Sequence, residues 1–167
     1  MTVEPVFLKA IPLLRGFSPV EHRELARLLE LVRVDPDTLL IEQGSTQGGF
    51  YFILDGQVRI SRKLPSGREI TLARMGKGHV VGFLTMVDGK PRSANVHAVT
   101  KVALAHLPAD RFAELIRSPK PMAVRFQRLL AREMIRTLRR ANQRFTRAAT
   151  LPLEDFMSPE HISDEQA

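Results

Sequence analysis

Residues 50–76 read FYFILDGQVRISRKLPSGREITLARMG. Three apolar stretches, FYFIL, QVRIS and EITLA, are separated by Asp55-Gly56 and by Pro65-Ser66-Gly67, both turn-forming groups. In QVRIS and REITLAR apolar and polar residues alternate, the period of a strand with one buried face. Outward from this stretch, between about Leu31 and Leu107, the same texture continues in LLIEQ, HVVG, ANVHAVT and VALAHL. Turn signals recur at Gly44, at Gly76 to Gly78 and at Asp88-Gly89. Many short strands at this spacing predict a closed antiparallel barrel or roll rather than parallel strands joined by helices.

Helical patterns flank the strands. VFLKAIPLL reads as a short helix broken near Pro12. In SPVEHRELARLLELV, Ser18 is a cap, Pro19 fits the first helical position and Glu21 completes a capping box. Leu25, Leu28 and Leu29 then form one apolar face. After the strands, Pro108-Ala109-Asp110 opens a short helix to about Arg117, and a long helix follows over 122–147. At 1.5 Å per residue its roughly 26 residues extend about 39 Å, enough to outrun a roll. Leu130, Met134, Leu138, Ala141 and Phe145 recur at steps of four or three along it. Met122, Phe126 and Leu129 are placed to face the barrel. The distal seam predicts a homodimer through 130–145, packed as a short coiled coil, against the alternative of a helix folded back on its own domain. The expected organisation is N-terminal helices over 1–30, a β-roll over 31–108, C-terminal helices over 109–147 and an acidic tail over 148–167.

Composition narrows the function. The 167 residues suffice for one domain with a real core. No apolar run approaches the roughly 20 residues that span a bilayer, and MTVEPVFLKAIPLL lacks the marks of a signal peptide. Cysteine is absent, so disulfides and thiolate metal sites are excluded and a cytoplasmic location is expected. The five histidines, His22, His79, His97, His106 and His161, show no metal-ligand spacing and no nucleophile or carboxylate partner at motif spacing. Neither a metal nor a catalytic residue is expected, and no cofactor is required. The net charge of +7 is concentrated over 120–147, where nine Lys or Arg stand against Glu133 alone; residues 148–167 hold five acids and no Lys or Arg. A basic helix of this kind permits nucleic-acid binding, but there is no tryptophan, one tyrosine and no base-reading motif. The bland reading is a solvated helix face.

Late in the strand region stands GFLTMVDGKPRSANV, residues 82–96. With Gly44, the FYFILDGQVRI stretch, Gly56, Gly67 and the approach GKGHVVG with Gly78 and Gly82, it forms an ordered set over roughly residues 7 to 145. That set resembles the cyclic-nucleotide-binding domain family, found in the catabolite activator protein, in kinase regulatory subunits and in gated channels. The resemblance implies a mostly β fold with flanking α: a double-stranded antiparallel β-helix, or jelly roll, with short N-terminal helices and a long C-terminal one. The family's phosphate cassette reads Gly-Glu-Leu-Ala-Leu, then Pro-Arg with a small residue and Ala. Gly82, Phe83, Leu84 and Thr85 take the first places of the cassette, and Pro91, Arg92, Ser93 and Ala94 the last. Gly82 and Arg92 stand at the family spacing with no gap.

The resemblance assigns Arg92 to a cyclic phosphate, Ser93 to a supporting hydrogen bond and Gly82 to a close backbone approach. A helix start after Gly82 adds backbone N–H donors. The implied ligand is cAMP or cGMP. Phe83 departs from the pattern: the family glutamate there accepts the ribose 2′-hydroxyl, and phenylalanine cannot. Losing that bond costs about 1.5–3 kcal/mol. On the long helix, alignment through Leu138 puts Ala141 and Asn142 where hydroxyl residues of the catabolite activator protein meet the base; Asn142 retains a group that reads a base edge. After Arg147 twenty residues remain, too few for the helix-turn-helix module of that branch. The expectation is a free-standing, non-enzymatic sensor that signals through a protein, the alternative being a degenerate domain serving as a dimeric scaffold.

Overall fold

The computed structural model describes residues 3–150. Eight strands form two four-stranded antiparallel sheets: β1 (Glu30–Val34), β8 (Val102–Leu107), β3 (Phe50–Asp55) and β6 (Val80–Val81) in one, and β2 (Leu39–Ile41), β7 (Asn95–Ala98), β4 (Gln57–Lys63) and β5 (Glu69–Gly76) in the other. This is the antiparallel, jelly-roll-like roll that the strand pattern predicts. The helices are α1 (Pro5–Leu8), α2 (Pro19–Ala26), α3 (Leu84–Asp88), α4 (Ala109–Arg117) and α5 (Pro121–Thr150), with a 3-10 turn at Pro12–Leu14.

Local sequence accounts for the helix boundaries. At α2 the capping box is closed in both directions: the Glu21 amide donates to Ser18 Oγ at 3.2 Å, and the Ser18 amide donates to the Glu21 carboxylate at 2.7 Å. Two backbone donors that a helix start leaves orphaned are thereby satisfied. The α5 segment contains no glycine or proline after Pro121 and is rich in Arg, Leu and Ala, all strong helix formers.

The two sheets enclose one core and the helices another. Ile41, Ile53, Val58, Val96 and Leu104 fill the roll interior. Leu8, Leu14, Leu25, Phe52 and Phe126 belong to the helix-side core. β3 serves both, because its side chains alternate: Phe50, Phe52 and Leu54 face the helices, Tyr51 and Ile53 the roll. The Phe50 ring lies edge-on to Phe112 of α4 at 5.7 Å and stacks with Phe126 of α5 at 6.2 Å. Arg125 adds a polar tie, donating to the Gly16 carbonyl at 2.5 Å and pairing with Glu21 at 3.3 Å.

The seam of α5 divides. Leu130 is buried in the chain's own core and Met134 packs partly against it. Ile135, Leu138 and Phe145 are 52%, 61% and 77% exposed. The distal half still touches the roll, since Arg144 donates to the Leu72 carbonyl of β5 at 2.6 Å. No helix among the described residues is long and apolar enough to cross a membrane. Most of the acidic tail foreseen over 148–167 lies outside the described residues.

Candidate functional site

The loop from Gly82 to Ala94 joins β6 to β7 and contains α3. Its centre is Arg92, only 4% exposed. The main chain of Arg92 is held from both sides: its amide donates to the Ser45 carbonyl and its carbonyl accepts from the Gly44 amide, each at 2.8 Å. The side chain turns onto backbone. Nη2 donates to the carbonyls of Gly49 at 2.5 Å and Gln47 at 3.1 Å, and Nη1 donates to the Gly82 carbonyl. Nε is buried without a partner. Among the described residues no carboxylate lies within ion-pair distance of this guanidinium. A buried cation solvated by carbonyl dipoles, with no counter-charge, is an arrangement suited to an incoming anion. Burial works against its charge, while the nearby Tyr51 phenol works the other way.

Gly82 is required where it stands. Its φ of +84° is in the left-handed region, and a Cβ there would meet Ile41 Cδ1 at 2.5 Å and Arg92 Nη1 at 3.0 Å. Phe83 follows, and its ring is 6% exposed within the helix-side core. Position 83 is apolar because its side chain completes the helix-side core. Thr85 is also buried, whereas Leu84 is 45% exposed. Pro91 and Ser93 are exposed and Ala94 is buried. Asn142 is exposed on the distal half of α5, its backbone carbonyl accepting from the Thr146 hydroxyl at 3.0 Å. Within the cassette Arg92 meets the Gly82 carbonyl while the Phe83 ring lies in the helix-side core; among the described residues Asn142 has no hydrogen bond to any cassette residue.

One group near Arg92 escapes sequence reasoning. Tyr51 and His106 are opposite each other on β3 and β8, and Glu30 of β1 is opposite His106. The Tyr51 and His106 rings stack at 4.7 Å, and burial raises the Tyr51 phenol above its ordinary value against the pull of Arg92. Each residue is unremarkable alone, and cross-strand register is not visible before the strands are paired.

Comparison with known proteins bears on this geometry. The model of the cyclic nucleotide-binding domain matches residues 31–118. A cAMP-dependent protein kinase regulatory subunit of Yarrowia lipolytica is 32% identical over 110 residues, 66% of this chain and 28% of that protein. The chain thus spans well under a third of this relative's length. The solved catabolite activator protein of Thermus thermophilus superposes with a TM-score of 0.73 at 27% identity, over 83% of this chain and 63% of that one. A regulatory subunit of a cAMP-independent protein kinase A from Trypanosoma brucei aligns with a TM-score of 0.62 at 28% identity, over 75% and 49%. With the family's model matched over more than half its length and a buried cassette arginine in place, this chain belongs to the cyclic nucleotide-binding domain family.

Proposed function

We propose that this domain senses a cyclic nucleotide or a related phosphate ester at Arg92 and passes the signal to a protein partner as a homodimer built on the exposed distal part of the 130–145 seam. One observation carries the ligand part: a guanidinium 4% exposed, with an unpartnered Nε and no carboxylate beside it. A phosphate diester supplies the missing charge and accepts a forked pair of charge-assisted bonds once carbonyls are exchanged for phosphate oxygens. Ser93, at the exposed rim, and the amides following Gly82 complete the anion cradle. Exposed Ile135, Leu138 and Phe145 are the surface offered to a second copy.

Titration calorimetry with cAMP, cGMP and cyclic dinucleotides tests the ligand. Saturable binding to the wild type that disappears in Arg92→Ala is expected; binding that survives Arg92→Ala would remove Arg92 from the site.

A second reading has its own support. Both terminal nitrogens of Arg92 are already occupied by carbonyls, and Phe83 supplies no acceptor for a sugar hydroxyl. A relative described as cAMP-independent shares the fold. On this reading the domain is a dimeric scaffold, and no nucleotide shifts its melting temperature.

A further inference from the structure

His106 stands at the inner end of β8. Val102 and Leu104 on that strand face the roll interior, so by strand alternation His106 does as well. Its neighbours come from four elements. Glu30 of β1 lies with Oε2 at 3.8 Å from Nδ1, and its other oxygen is 3.2 Å from Arg111 of α4. Tyr51 of β3 stacks on the ring. From the cassette side, Gly49 seals Nε2: a Cβ on Gly49 would be 2.8 Å from that nitrogen, and the carbonyl of Gly49 holds Arg92 Nη2. His106 Nε2 is accordingly buried without a partner. Nε2 is closed off from a ligand, but the charges of His106 and Arg92 act on each other across the Gly49 segment.

We propose that His106 is a positioning residue that makes anion binding at Arg92 proton-linked, through the Gly49 segment that lies against the imidazole and holds the guanidinium. The inference rests on the anion-binding reading given above. Burial holds the imidazole below its ordinary value first of all; Glu30 opposes this, and the charges of Arg111 and Arg92 add to the depression. An anion on Arg92 cancels one of the two opposing cations. The imidazole value is then higher in the complex than in the free protein, so binding is accompanied by proton uptake in the window between the two. Linkage is reciprocal, and anion affinity must therefore rise as pH falls through that window.

The experiment is calorimetry with cAMP, whose phosphodiester charge is constant between about pH 8 and pH 5, alongside NMR titration of the His106 imidazole. In the wild type, affinity is expected to rise about three- to tenfold toward pH 5, with the imidazole value moving up when cAMP is added. His106→Gln should flatten the affinity profile. Glu30→Gln, which removes the one favourable charge, should move the transition to lower pH. Affinity that is flat in the wild type, or a slope that persists in His106→Gln, overturns this inference while leaving Arg92 as the anion site. Absence of binding at every pH overturns the anion-binding reading and this inference with it. Should His106→Gln fail to fold, the wild-type imidazole titration with and without cAMP decides alone.

Discussion

Arg92 donates from Nη2 to the carbonyl of Gly49 at 2.5 Å, closing a span of 43 residues with one hydrogen bond. The carbonyls of Gln47 and Gly82 complete its shell. Arg92→Ala leaves three carbonyls to find other donors and is expected to cost about 1–3 kcal/mol of stability even without ligand. Arg92→Lys should recover only part of this, because an ammonium lacks the planar fork. Urea unfolding of the two variants measures both losses; an unchanged midpoint in Arg92→Ala would show that water replaces the guanidinium without penalty.

Restoring the family carboxylate at position 83 meets a packing obstacle. Phe83 is 6% exposed in the helix-side core, so Phe83→Glu removes an aromatic side chain and buries an acid in its place. The expected loss is at least about 3 kcal/mol, against less than about 2 for Phe83→Leu. Thermal or chemical melts separate the two. Equal stability of Phe83→Glu and wild type would mean that this side chain turns freely into the roll.

The α2 cap sets an acid-sensitive contribution. Ser18→Ala is expected to cost about 1 kcal/mol. The Ser18 amide, chiefly, holds the Glu21 carboxyl below its ordinary value, with Arg125 assisting. A carboxyl lowered on folding stabilises the protein above the unfolded value, and that stabilisation fades as pH falls through the folded one. Between about pH 5 and pH 3 the wild type should therefore lose stability more steeply than Glu21→Gln. Parallel pH profiles would exclude Glu21 as a contributor.

Leu138 and Phe145 are 61% and 77% exposed, and the chain's own fold asks little of them. The double variant Leu138→Glu/Phe145→Glu is expected to halve the mass seen by light scattering while changing the stability of the protomer by less than about 0.5 kcal/mol per site. A wild type that is already monomeric at high concentration would end the homodimer reading.

What the sequence disclosed depended on whether a feature was local. Ser18, Pro19 and Glu21 announce a helix start because the cap closes within three residues. Glycine turns and alternating strands were legible for the same reason, and with them the roll. Arg92 was recognisable from its spacing to Gly82, whose carbonyl it meets, yet its other two partners are backbone carbonyls 43 and 45 residues away, and a carbonyl leaves no mark in the sequence. The direction of Phe83 depended on which of two cores accepted it, and an apolar residue after a glycine is compatible with either. Likewise, a step-of-four seam on α5 does not distinguish Leu130, buried at home, from Leu138, left outside. His106 lacked a carboxylate at motif spacing; register supplied Glu30 from another strand.

The sheet that carries β3 is a shared partition. Tyr51 and Ile53 look into one compartment, while Phe50 and Phe52, next to them in sequence, are pressed against α4 and α5 on the other side. A wall one backbone thick insulates poorly. Any repacking around Tyr51 is felt by the Phe50 ring through a single peptide unit, and so by the helices that rest on it, with nothing in the roll ever having to touch them.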